Sequence, residues 1–158
     1  MAERRMITKP LLMSNRYLKI SNDSKALYQY LLVFADDDGI VERSMMIDAP
    51  LQVDDSNYKE LEQANLIINY NEQIKVITDW NTMQTIRKDM YQTSKRNEVK
   101  HNLYLKTDFT YSTNEDDNVM ISLDDWIASD RPKNQETIKQ FQRALKNRNQ
   151  ERPSYSDL

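Results

Sequence analysis

Three groups of residues have types and spacings that could do chemistry. Asp36-Asp37-Asp38-Gly39 is the first, because a calcium loop gathers carboxylates around a glycine. That loop also needs an acidic first ligand and a closing glutamate. Here Phe34 holds the first ligand position and Met45 the last. The run therefore reads as a turn that leaves a helix through Gly39 at positive φ, and no metal is expected. The second group is Glu115-Asp116-Asp117 with Asp124-Asp125, a carboxylate cluster of the kind that two-metal nucleases use. It lies in an expected loop with no lysine or histidine near it in sequence, so catalysis is not expected there. The third is His101, the only histidine in the chain. A Ser-His-Asp arrangement would rest on that residue alone.

The residue inventory excludes more. The chain has 158 residues, with one glycine and no cysteine. A G-x-G-x-x-G dinucleotide loop and a G-x-x-x-x-G-K-[ST] phosphate loop each need more than one glycine, because backbone must approach phosphate without a Cβ. Thiol nucleophiles, disulfides and cysteine-ligated zinc are excluded by composition. An enzyme is not expected, nor is a cofactor. No stretch reaches the roughly 18 apolar residues that cross a bilayer. The segment Met1–Met6 carries charge and no apolar core, so it does not read as a signal peptide. A protein of the cytoplasm, with no membrane partner, is the expectation.

The net charge of -3 conceals blocks. Residues 1–35, 81–106 and 131–158 each carry +4, whereas 36–62 and 107–130 each carry -7, and 63–80 carries -1. Such blocks can gather into basic and acidic patches on a folded surface, or pair with one another.

The elements that must position these groups follow from periodicity. A short helix is expected around Ser14–Leu18. Ser21 or Asn22 caps a longer one, with Leu27, Tyr30, Leu31 and Phe34 as its core stripe. Ser44–Ile47 reads as a short helix stopped by Pro50. Residues Asp54–Ala64 read as the next, closed by Asn65 in the left-handed region. The period then changes. Leu66–Tyr70 and Ile74–Ile77 are strands joined by Asn71-Glu72-Gln73, and Trp80, Met83 and Ile86 return to helical spacing. This order is that of a winged helix-turn-helix with a two-stranded wing. Trp80 is expected to anchor the wing on the helices.

Residues 93–148 read as an extension. Leu103 to Tyr111 alternate as one strand, and Asn114–Asn118 form an acidic loop. Ser122 caps a short helix carrying Trp126. Asn134–Asn147 form a basic amphipathic helix with Ile138, Phe141 and Leu145 on its apolar side. Residues 149–158 have no core pattern and are expected to be a disordered tail. The fold class is α+β, mainly α: a winged helix over 1–92, then a small α/β extension.

Residues 1–92 carry Arg4-Arg5-Met6, Ala26-Leu27-Tyr28, Ala35-Asp36-Asp37-Asp38-Gly39-Ile40-Val41, Leu66-Ile67-Ile68, Val76-Ile77-Thr78-Asp79-Trp80 and Ile86-Arg87-Lys88-Asp89-Met90-Tyr91. In these stretches the chain resembles the N-terminal domain of phage replisome organisers, replication initiators often described as DnaD-like. The resemblance implies a winged-helix fold, double-stranded DNA as ligand, and self-association during replisome assembly in a bacterial host cell. It ends at Tyr91.

Two functions of different class fit these readings. In the first, the chain is a non-enzymatic DNA-binding protein of replication. A winged helix places the second helix of its corner in the major groove. Here that helix carries one lysine against four carboxylates, which opposes phosphate binding. The expected DNA contacts are therefore mostly elsewhere: Arg4, Arg5, Lys9 and Arg16 before the first long helix, Asn57 and Lys59 on the corner helix, Lys75 on the wing, and Arg87, Lys88, Lys95 and Arg96 after it. In the second, the chain is a phage-encoded interaction protein. Its acidic residues Asp54, Asp55, Glu62, Asp124 and Asp125 would bind a nucleic-acid enzyme of replication or host defence, to inhibit or recruit it.

Overall fold

A computed structural model of the chain describes residues 4–116 and 118–151. The protein is α+β and mainly helical. Two single turns, α1 (Lys9–Leu12) and α2 (Asn15–Leu18), lead into α3 (Asn22–Phe34). Ser21 caps α3: its hydroxyl accepts from the Ser24 N–H at 3.2 Å, and Asp23 sits in the positive first turn. The buried side of α3 is Leu27, Tyr28, Leu31 and Leu32. Tyr30 and Phe34, assigned to the core by spacing, are instead 42% and 54% exposed. Both sets of four contain Leu27 and Leu31, so spacing could not choose between them. The packing of α4 (Met45–Leu51) and α5 (Asp55–Gln63) on α3 decides it.

Pro50 does not stop α4 but lies inside its last turn, and the helix ends at Gln52 in the left-handed region with φ 54°. A capping box opens α5. Asp54 accepts from the Ser56 N–H at 2.9 Å, and Asn57 Oδ1 accepts from the Asp54 N–H at 3.0 Å. Tyr58 and Leu61 face the core, and Asn65 turns the chain at φ 58° as expected. Replacing the fully buried Leu61 by alanine would cost about 2–5 kcal/mol.

The hairpin β2 (Ile67–Asn69) and β3 (Ile74–Ile77) forms where the period changes. Asn71 Oδ1 closes its turn by accepting from Gln73 N at 2.9 Å and Ile74 N at 2.7 Å. A third strand, β1 (Ile40–Glu42), pairs antiparallel with β3, so that Ile40 faces Val76 and Glu42 faces Ile74. The expected two-stranded wing is thus part of a three-stranded sheet of order β1-β3-β2. Three residues after a turn are too few to show alternation, which is why β1 left no signal. The short helix α6 (Trp80–Met83) follows, and Ile86 lies beyond it.

The second half holds α7 (Asn97–His101), β4 (Tyr104–Lys106), β5 (Tyr111–Ser112), β6 (Val119–Ser122), α8 (Leu123–Ala128) and α9 (Gln135–Glu151). The single strand expected from Leu103 to Tyr111 is a hairpin. The chain reverses after Lys106, with Phe109 at φ 68°, and β5 returns along β4. β6 takes the other side of β4, giving the order β5-β4-β6. Helix α9 runs past the expected Asn147 to Glu151, so the first residues of the expected disordered tail are helical. The rest of that tail, 152–158, and Asp117 of the acidic loop lie outside the described residues. Ile138 anchors α9 in the core, with Phe141 packed beside it.

The two halves share one hydrophobic core, in which Val99, Leu103, Tyr111 and Trp126 join Leu66, Ile77 and Trp80. Tyr111 N donates to Thr78 O across the junction at 3.0 Å. No helix among the described residues is long and apolar enough to cross a membrane.

Candidate functional site

The acidic turn is the joint of the molecule. Asp36 Oδ1 accepts from Asp38 N at 2.9 Å and Ile40 N at 3.1 Å, and its other oxygen accepts from Ser94 Oγ at 2.7 Å. Asp37 receives the Arg5 guanidinium and Gln92 N, both at 2.9 Å. Asp38 receives Tyr91 Oη at 2.8 Å, Ser94 N at 3.0 Å and Arg131 at 3.1 Å. Its carbonyl accepts from the buried Tyr111 hydroxyl at 2.7 Å, and the Asp37 carbonyl accepts from Trp80 Nε1 at 2.9 Å. Every carboxylate here is committed to protein donors, so the turn is structural. Among the described residues no cluster of three or more His, Asp or Glu could hold a metal ion. Burial raises the Asp36 carboxyl above its ordinary range, against the bond from Ser94. Burial also pushes the Tyr91 hydroxyl up to about 12, so it stays protonated and donates to Asp38 at neutral pH.

Gly39 makes this turn possible. Its φ is +82°, and a Cβ there would lie 2.5 Å from Trp80 Cγ. Trp80 therefore anchors the sheet against the helices through the one position that has no side chain.

Folding commits most of the cations that the sequence offers as DNA contacts, Arg5 to the acidic turn and the others elsewhere. The Arg5 side chain is 3% exposed, paired with Asp37 and 5.0 Å from the Trp80 ring centroid, so it is not a surface contact. Arg16 grips Asp79 with two nitrogens at 3.0 Å and donates to Asn65 O. Lys75 is 4% exposed; its ammonium donates to Asn71 O at 2.9 Å and lies 5.2 Å from the Tyr58 ring centroid. Burial, with Arg43 nearby, lowers its pKa. Asn57 spends its amide on Asp54 and Ser24. Arg96 pairs with Glu42 at 2.6 Å, Arg87 with Asp89 at 2.8 Å, and Lys88 with Asp130 at 3.0 Å. Arg4, Lys9, Lys59 and Lys95 are exposed and form no ion pair among the described residues.

A concave surface of about 510 Å³ lies between α5 and the β2–β3 hairpin, reached by Lys59, Asn69, Asn71 and Gln73. Arg43 braces it, with its guanidinium on Asp48 and Asp55 and 4.4 Å from the Tyr58 ring centroid. Arg43 and Lys75 point inward to these partners, whereas Asp55, Glu62 and Glu72 are exposed beside Lys59. The rim is acidic.

The residues expected to bind a protein partner are also in part committed. Asp54 caps α5, Asp55 pairs with Arg43, Glu62 accepts from Asn69 at 2.9 Å, and Asp124 meets His101 at 2.6 Å. Asp125 is exposed in the first turn of α8. Hydrogen bonds from Arg43 and Ser56 hold Asp55 and Asp54, respectively, below the usual carboxylate range.

Lys139, Arg143 and Lys146 are not among the contacts expected from the sequence, although their i, i+4, i+7 spacing places them on one side of a helix. All three are exposed on α9 and form no ion pair among the described residues. Comparison with family models, with curated proteins and with solved structures finds no match to this chain.

Proposed function

We propose that the protein is a non-enzymatic, phage-type DNA-binding protein of replication initiation, with a winged helix at its N-terminal end. The observation that carries this reading is the basic side of α9, where Lys139, Arg143 and Lys146 are exposed while Ile138 holds the helix on the core. Phosphates condensed on such a helix release counterions, which supplies affinity without reading sequence. Support for the winged helix is the succession α3, β1, α4, α5 and hairpin, with β3 central in the sheet. Lys59 then orients the corner helix at the groove, and Arg4, Lys9 and Lys95 add peripheral charge. Gel-shift titration at low salt with duplex DNA from a phage origin tests it. A shift that weakens when Lys139 and Arg143 become glutamate supports it, and no shift at low salt refutes it.

One observation favours a second reading. The exposed rim between α5 and the wing carries Asp55, Glu62 and Glu72 against Lys59, a surface suited to the basic groove of a nucleic-acid enzyme. Pull-down from bacterial lysate with native and Asp55→Lys/Glu62→Lys protein separates the two. A nuclease or helicase loader lost with the reversal supports the second, and nucleic acid alone in the eluate counts against it.

A further inference from the structure

Helix α9 carries carboxylates beside its cations. A concave surface of about 310 Å³ lies between β6 and α9, and Glu115, Asp116 and Asp125 line it together with Gln142. Gln142 Nε2 donates to Met120 O, which fixes this part of α9 on β6. Two of the carboxylates are held in place as well. Asp116 Oδ1 accepts from Asn118 N at 2.8 Å, and Asp125 opens α8, where its backbone N–H donates to Ser122 Oγ at 3.2 Å. All three acidic side chains are exposed.

Gln142 stands between this acidic surface and the cations of α9. Lys139 is three residues before it and Lys146 four after, so each is its neighbour on the helix surface, about 5–6 Å away at Cβ. Acidic and basic groups are thus gathered around one side chain. Yet Glu115, Asp116, Asp125, Lys139, Arg143 and Lys146 form no ion pair among the described residues. They face solvent as unneutralised charge of opposite sign on adjoining strips of one surface.

We propose that these carboxylates restrain DNA binding by α9, as an electrostatic brake built into its site. The inference rests on the reading of α9 as a DNA contact. A phosphate that reaches Lys139 or Lys146 enters the field of Glu115, Asp116 and Asp125. That field extends over a Debye length of about 30 Å at 0.01 M salt and about 8 Å at 0.15 M. Repulsion therefore weakens the complex most at low salt, where the cations attract the duplex most strongly.

The full chain and Glu115→Gln/Asp116→Asn/Asp125→Asn are titrated against one labelled duplex at about 0.01 M and about 0.15 M salt. Each substitution keeps an oxygen acceptor and removes a charge. The triple variant should bind about tenfold tighter at the lower salt and about twofold tighter at the higher. Asp125 also lies in the positive first turn of α8, so Glu115→Gln/Asp116→Asn is measured beside it. That variant leaves α8 intact and should bind about fourfold tighter at the lower salt. Thermal melts verify that the variants fold. Asp23→Asn/Glu72→Gln, exposed positions on α3 and on the β2–β3 turn, removes the same charge as that pair and should gain less than about twofold. Equal affinity of the native chain and the α9-side variants overturns the brake and leaves DNA binding by α9 standing. So does a gain of the same size at both salts, or one matched by Asp23→Asn/Glu72→Gln. Binding by the triple variant alone supports the brake. No binding by any of these proteins overturns the brake and the DNA reading together.

Discussion

Arg131 and Asp38 stand 93 positions apart and meet at 3.1 Å, with Asp38 almost wholly buried. This pair ties the connection between α8 and α9 to the acidic turn after α3. Tyr111 and Ser94 reach the same turn from the second half, so the pair is one of several ties across this junction.

Removing the guanidinium with Arg131→Met leaves a buried carboxylate short of its cation. A loss of about 3 kcal/mol is expected in urea unfolding, because Tyr91 and Ser94 still donate to Asp38. One cooperative transition should remain. Two separate transitions, or a loss below about 1 kcal/mol, would show that the halves do not depend on this joint.

Gly39→Ala should be more damaging than its single methyl suggests. It combines a positive φ with a Cβ that meets the Trp80 ring. The strain alone is about 1–2 kcal/mol, and displacement of Trp80 adds to it. A melting temperature within a degree or so of the native protein's would mean that Trp80 yields at little cost.

Asp36 sets a pH dependence. Burial raises its folded pKa above that of the unfolded chain, so the folded state binds the proton more tightly. The stability this adds is complete below the unfolded value of about 3.9, and is lost as pH rises through the folded value. The substitution Asp36→Asn keeps an acceptor for the Asp38 and Ile40 N–H groups and removes the titrating carboxyl. Measured from pH about 4 to about 7, the stability difference should move in the variant's favour. A difference that is flat with pH would contradict the direction of the shift.

Much of the helical framework was legible because caps and periodicity are local. Ser21, Asp54 with Asn57, Asn65 and Ser122 all stand where their residue types suggest. The β-rich runs 66–70 and 74–77, with Asn71-Glu72-Gln73 between them, also make the hairpin legible. What was illegible is non-local. Arg5, Arg16 and Lys75 looked like free cations, but Arg5 and Arg16 find carboxylates 32 and 63 positions away and Lys75 folds back onto its own turn. The three aspartates before Gly39 gave no hint that five separate segments converge on them. Conversely, the exposed cations of α9 were visible in the helix pattern, but their role depended on which side Ile138 buries.

Lys59 separates orientation from affinity. Its replacement by alanine should weaken duplex binding by a few-fold and change the salt slope by about one, since it is the sole free cation on α5 among the described residues. A loss as large as that from reversing α9 would move the interface to α5.

The most direct test is fluorescence anisotropy of a labelled duplex, with the native chain and with Lys139→Glu/Arg143→Glu, over a series of salt concentrations. For native protein, log K should fall with log salt at a slope of roughly -4, as for about four phosphates neutralised by the α9 cations and Lys59. In the double variant the slope should shrink by about two, with circular dichroism unchanged. Equal slopes and affinities for the two proteins, or no binding at low salt, would contradict a DNA-binding role for α9.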